Sequence, residues 1–283
     1  MPLSMFSITQ TTPRVIALVG AGGKTSTAFW LAQQFKQHGH CVLVSTTTKM
    51  FHPKADQADH FISDSDSNID SNSNADNQFD CLIPEQTCNT LLSRLQNQKT
   101  EPSITFCFQR EIQSTDNSAK KKVIGIVPGL VNQLKNNSPF TVFIIEADGA
   151  HCKPLKAPDR HEPCLPLCSD MVIGITGAES INTPANADNI HRWNTFSELT
   201  QCSQGDLIDH RVLQRLIAHP QGMFKHAPAH ARKVWLINKV DLAPSYQQLI
   251  KTAQTVIAGT DQLDEIWLTT MLSISPIKDI IKK

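Results

Sequence analysis

The sequence lacks net charge, since 26 lysines and arginines are matched by 26 aspartates and glutamates. The balance therefore supplies no long-range attraction to a phosphate polymer or an anionic lipid surface, and neither nucleic acid nor membrane is expected as a partner. Long apolar runs are missing too. The stretch Val15 to Val19 falls far short of the roughly 20 residues a membrane-spanning helix needs. Residues 1–12 have no basic start of the secretory kind, so a cytoplasmic location is expected. Among 8 cysteines there is no C-x-x-C pair, which argues against a disulfide framework and for reduced thiols. Cys41 and Cys107 read as small apolar core residues.

What is present is a chain of 283 residues, 40% hydrophobic, long enough to bury a sizeable core; one main domain over 1–283 is expected. Continuous apolar runs predict buried strands at Val15–Val19, Cys41–Val44, Ile104–Phe108, Thr141–Ile145, Met171–Ile175 and Val234–Ile237. Helical spacing predicts helices from Thr25 to Gln37, around Leu130–Leu134, from Leu207 to Ile217 and from Tyr246 to Ile257. Strands alternating with helices predict an α/β fold, doubly wound around a mostly parallel sheet of the P-loop NTPase type. The Ser/Asn/Asp-rich stretch 63–80 is too polar to offset its ordering entropy and is expected to be a disordered insertion.

The chemistry concentrates at strand ends. Gly20-Ala21-Gly22-Gly23-Lys24-Thr25-Ser26 joins the first strand to the first helix. Glycines let backbone N–H groups approach a phosphate chain, the helix dipole favours negative charge, Lys24 adds a cation, and Thr25 or Ser26 offers a hydroxyl to Mg²⁺. The standard loop G-x-x-x-x-G-K-[ST] would need glycine at position 18, where Leu18 stands. The shorter G-x-x-G-K-T resembles the loop of Mur ligases and folylpolyglutamate synthases, which use ATP to activate a carboxylate. That resemblance implies an ATP-dependent ligase or kinase acting on a small molecule as an alternative reading.

Glu146 and Asp148 end an apolar strand, where a carboxylate can hold Mg²⁺ opposite the phosphate loop; Asp148 is the first choice and Glu146 the second. Either could also activate a nucleophile. Asn238-Lys239-Val240-Asp241 looks like the N-K-x-D pattern of GTPases, in which the aspartate accepts guanine N–H groups and the lysine stem covers the base. ATP and GTP both stay open. The segment from Ala150 to Pro163 reads as an active-site loop, with Lys153 and His161 as catalytic candidates. Thr47 and Lys49, after the second strand, could approach the phosphates as a second loop. The spacings of His151, Cys152, His161, Cys164 and Cys168 match no standard zinc pattern.

Taken in order, Val19–Thr25, Ser45–Lys49, Glu146–Ala150, Lys153–Pro158, His161–Pro163 and Asn238–Asp241 resemble the YqeC family, regarded as accessory proteins of selenium-dependent molybdenum hydroxylases. The likeness spans Val15 to Asp241. It implies a role in making or inserting the labile selenium cofactor of enzymes similar to xanthine dehydrogenase, powered or gated by a nucleotide, with such a hydroxylase or a selenium donor protein as partner. One reading is an Mg²⁺-dependent hydrolase or transferase using ATP or GTP, with Lys24 and Asp148 at the phosphates. A second is an assembly factor whose loops are ordered by nucleotide. A third is a selenium or metal carrier using Cys152, Cys164 and Cys168.

Overall fold

In the computed structural model, which describes residues 13–64, 85–113 and 121–283, every strand and helix expected from the apolar pattern is present, among others that the pattern does not mark. In chain order they begin with β1 (Arg14–Gly20), α1 (Lys24–Gln37), β2 (Val42–Thr46), β3 (Lys49–Phe51), β4 (His60–Ser63), α2 (Glu85–Gln96) and β5 (Ile104–Phe108). Next come β6 (Arg110–Ile112), β7 (Lys122–Ile124), α3 (Pro128–Asn137), β8 (Val142–Glu146), β9 (Leu155–Lys156) and β10 (Met171–Gly177). The last are β11 (Ile190–His191), α4 (Trp193–Thr200), α5 (His210–Ala218), β12 (Arg232–Asn238), α6 (Tyr246–Ala258), β13 (Glu265–Thr269) and β14 (Ile277–Lys282). Apart from Ser63 and Asp64, the expected insertion at 63–80 lies outside the described residues. The architecture is α/β, with mostly parallel strands, and among the described residues no helix is long and apolar enough to cross a membrane.

The chain divides into two compact units. The first takes the described residues within Met1–Val15, Leu31–Ile145 and Pro166–Cys168. Its strands run in the order β8–β2–β5–β4, with β5 parallel to both β2 and β4. Every residue of β2 and β5 is buried, which is why apolar side chains dominate both. A small antiparallel sheet, β3–β7–β6, accompanies them. Helix α3 opens on Pro128, whose missing N–H costs nothing at that position, and buries Leu130, Val131 and Leu134 in a core with Leu43, Phe140 and Phe143. Cys41 and Cys107 are buried, as expected.

The second unit comprises Ile16–Trp30, Glu146–Leu165 and Ser169–Lys283. Its strands run β1–β10–β12–β13–β14; the first three pairs are parallel and the last antiparallel. Parallel strands share a direction, so the carboxyl ends at Gly20, Gly177, Asn238 and Thr269 fall along one edge, with Gly177 in register with Asn238. Ligands of open α/β sheets bind at such an edge. The predicted helix from Leu207 starts instead at His210, because the Asp209 side chain accepts from Arg211 N and Val212 N and fixes the first turn there. β13 escapes the apolar pattern because Glu265 is buried in it, paired with Arg232 and Lys282 and accepting from Trp267 Nε1 at 2.8 Å.

Trp235 is fully buried in the second unit's core and donates from Nε1 to Thr176 Oγ1 at 3.1 Å. Trp235→Ala is expected to cost about 3–5 kcal/mol in urea denaturation. Leu272→Ala, at a residue 91% exposed, should stay within about 0.5 kcal/mol. Equal effects would contradict this packing.

Candidate functional site

β1 ends at Gly20 and α1 begins at Lys24, so residues 20–23 turn the chain at the strand edge. Gly22 and Gly23 have φ of +87° and +136°. A Cβ on Gly22 would lie 2.4 Å from Gly177 N, and one on Gly23 2.2 Å from Asn238 Nδ2. Neither position tolerates a side chain. The turn is fastened on two strands: Ala21 N donates to Ile175 O at 2.8 Å, and Asn238 Nδ2 donates to Gly22 O at 2.9 Å. Thr27 N reaches Gly23 O at 3.0 Å. The amides ahead of it are those a helix start leaves without an intrahelical acceptor, at the positive end of the dipole.

Lys24 is buried, and its ammonium donates to Gly20 O at 2.7 Å while lying 3.1 Å from Asp148 Oδ1 and 3.8 Å from Glu146 Oε1. Burial opposes its charge, but Asp148 and then Glu146 outweigh that and raise its pKa above the ordinary lysine value. Asp148 is a hub. Its Oδ2 accepts from Gly20 N at 2.9 Å and contacts Lys156 Nζ at 3.1 Å, whereas the buried Oδ1 has ion-pair contact with Lys24 and no aligned hydrogen-bond donor. Glu146, the last residue of β8, accepts from Thr25 Oγ1 at 2.9 Å. Burial raises its pKa above the usual carboxylate value, despite Lys24 and Thr25.

A second layer of charge stands behind Asp148. The buried Lys156 donates to Gly149 O and to Glu162 Oε2, each at 2.5 Å. Glu162 is also gripped by both terminal nitrogens of Arg192, whose Nε lies 3.1 Å from Asp159 Oδ2. Burial would raise the Glu162 pKa, but Lys156 and Arg192 more than offset it and hold the carboxyl at about 2. Lys225 Nζ donates to the carbonyls of Asp159 and Arg160 at 3.1 and 2.9 Å, tying the same loop from another side. His191 stacks on His151 with ring centroids 4.7 Å apart. Burial, then Arg192 and His151, lower the His191 pKa to about 4, so its ring is neutral at neutral pH.

Of the residues singled out in the sequence, Gly20, Ala21, Gly22, Gly23, Lys24, Thr25, Glu146, Asp148 and Asn238 form one bonded cluster. Ser26 follows in the same helical turn, partly exposed. Lys239 Nζ pairs with Glu179 Oε1 at 2.5 Å, and Asp241 Oδ1 accepts from Thr270 Oγ1 at 2.9 Å. Lys153 Nζ donates to Ala187 O at 2.7 Å, and His161 is exposed, its carbonyl accepting from Cys164 Sγ. Thr47 and Lys49 belong to the first unit, as does Cys168, while Cys152 and Cys164 belong to the second. Among the described residues no group of three or more His, Cys, Asp or Glu could hold a metal ion. Sequence reasoning gave no individual role to Lys156, Glu162, Arg192, Glu179 or Lys225; buried charge in a loop was the available signal for the first two.

A family model described as "YqeC protein" matches residues 16–194, a span that holds the glycine turn, both carboxylates and the Lys156–Glu162–Arg192 network. The relative described as "Uncharacterized protein YqeC", from Escherichia coli (strain K12), is 35% identical over 230 residues, which is 81% of this chain and 77% of the relative. No solved structure matches the chain.

The depressed Glu162 pKa carries a stability signature. Its folded value, about 2, lies below the ordinary 4.5, so its contribution is complete above pH 4.5 and is lost as pH falls through 2. The stability gap between the wild type and Glu162→Gln, followed by denaturant titration, should therefore shrink across that window. A gap constant from pH 5 to pH 2 would contradict the pairing with Lys156 and Arg192.

Proposed function

The chain belongs to the YqeC family, and on that premise we propose that it binds a nucleoside triphosphate with Mg²⁺ and serves the maturation of selenium-dependent molybdenum hydroxylases, in synthesis or insertion of their selenium cofactor. The observation that carries the nucleotide half is the joining of a glycine turn, a lysine at the first position of α1, and a hydroxyl bonded to a strand-end carboxylate, Thr25 Oγ1 to Glu146 at 2.9 Å. The maturation half rests on the family resemblance. This reading takes the second unit as a P-loop type of nucleotide fold, with the ligand at the carboxyl edge of its strands.

In this reading the amides of residues 22 to 26 receive phosphate oxygens, aided by the helix dipole. Lys24 exchanges its bond to Gly20 O for a phosphate oxygen, which offers the buried ammonium a full anionic partner. Thr25 and Glu146 would fit Mg²⁺: both present hard oxygen donors, the hydroxyl and the carboxylate lying 2.9 Å apart at the carboxyl end of β8. Held by Thr25 and Glu146, Mg²⁺ would supply positive charge against the phosphates. Asp148, first choice on sequence grounds, is already engaged by Gly20 N, Lys24 and Lys156. Its proposed role is to hold the turn and both lysines in place. Lys153, bonded to Ala187 O, and the exposed His161 stand outside this bonded cluster.

Calorimetry with Mg²⁺ and ATP or GTP tests the nucleotide half. Lys24→Ala should weaken binding roughly a hundredfold, the scale of one lost charge-assisted bond to phosphate. Glu146→Gln should abolish the gain in affinity that Mg²⁺ confers. A folded Lys24→Ala protein with wild-type affinity would refute the phosphate role. For the maturation half, a selenium-dependent hydroxylase isolated from cells lacking this protein should contain less selenium; full selenium occupancy would refute it.

A further inference from the structure

The residues after β12 and β13 bear on which base the nucleotide carries. Asn238 is buried, and its side chain works structurally: Nδ2 donates to Gly22 O at 2.9 Å, while Oδ1 accepts from Met271 N at 3.0 Å and Thr269 Oγ1 at 3.3 Å. One amide thus ties the phosphate turn to the chain leaving β13. It fixes the spacing between them, with Oδ1 doubly engaged and one of the two Nδ2 hydrogens bonded. The neighbouring Asp241 is exposed, with Oδ1 accepting from Thr270 Oγ1 at 2.9 Å, so its carboxylate is oriented but keeps capacity for further donors.

Lys239 sits in the left-handed region at φ 59°, and its ammonium is held by Glu179 Oε1 at 2.5 Å, which pins the aliphatic stem. The turn beyond Thr270 is closed by Thr270 N to Pro276 O at 2.8 Å and Ser273 N to Thr270 O at 2.9 Å. Leu242 follows Asp241 directly and Leu272 lies two residues after Thr270; both are exposed, at 56% and 91%.

We propose that the nucleotide is a guanine nucleotide, its base read by Asp241 in an orientation set by Thr270, with Asn238 and the Lys239–Glu179 pair as positioning groups; this rests on the triphosphate reading above. The chemistry discriminates by itself. Guanine presents N1–H and N2–H as adjacent donors, which one carboxylate accepts together. Adenine presents at N1 an acceptor, which a carboxylate repels, and a site built for hydrogen bonds rejects a ligand that leaves its groups unpaired.

The test compares GTP, ATP and xanthosine triphosphate, each with Mg²⁺, on the full chain by calorimetry. The wild type should prefer GTP over ATP by about tenfold or more, the scale of one bidentate contact to a base. Asp241→Asn should lose that preference and gain xanthosine triphosphate, whose C2 carbonyl accepts from the new amide; a gain cannot come from misfolding. Thr270→Val should reduce the GTP/ATP ratio several-fold, and an unchanged ratio would contradict the role given to Thr270. Equal wild-type affinity for ATP and GTP would overturn the guanine inference and leave the triphosphate reading standing. So would a folded Asp241→Asn protein that keeps its GTP preference or gains no xanthosine triphosphate. Binding of no triphosphate at all would overturn both.

Discussion

A lysine ammonium removed from water has to be neutralised where it lies, and at Lys24 that requirement organises the second unit. Asp148 answers it from 3.1 Å, and Glu146 adds a weaker attraction from 3.8 Å. Because Asp148 also accepts from Gly20 N and contacts Lys156, one carboxylate fixes the end of β1, the first residue of α1 and the loop that follows β8. Lys156 is buried as well and cannot leave its own charge unmatched, so Glu162 is drawn in, and with it Arg192 from beyond β11. Removing one member of such a chain would strand the others in a medium where an unpaired charge is costly.

The glycine turn is held differently on its other side. There the contacts are neutral: Ala21 N on Ile175 O, and the Asn238 amide on Gly22 O. Ions on one flank and amides on the other fix the turn without using the helix-start N–H groups. The cluster of Lys24, Lys156, Glu146 and Asp148 carries two charges of each sign, so a polyphosphate entering it brings uncompensated negative charge. On the proposed reading, a divalent cation held by Thr25 and Glu146 would offset that charge.

Much of this was legible in the sequence, and the parts that were not have identifiable causes. β1, the turn and α1 were readable because an apolar run, three glycines and a helical pattern are contiguous. Glu146 and Asp148 were readable as a pair at a strand end, but not their division of labour. That depends on Thr25 and Lys156, 121 residues before Glu146 and 8 after Asp148, and no local pattern reports such partners. Asn238 was noticed for its place in a short motif, yet its work is to strap Gly22 to the chain after β13. The Lys156–Glu162–Arg192 network joins residues about thirty positions apart through a loop without periodicity. β13 went unseen because Glu265, which a pattern reader takes for a surface residue, is buried between Arg232 and Lys282.

On the proposed reading, the amides opening α1 receive phosphate while the ions around Asp148, the Ala21–Ile175 bond and the Asn238 amide hold the turn around them. Amide hydrogen exchange, read with and without a purine nucleoside triphosphate and Mg²⁺, addresses it directly. Slowed exchange is expected from Gly22 through Ser26, together with slowing at Glu146 to Gly149 as the cluster tightens. Unchanged exchange in the glycine turn at saturating nucleotide would contradict it.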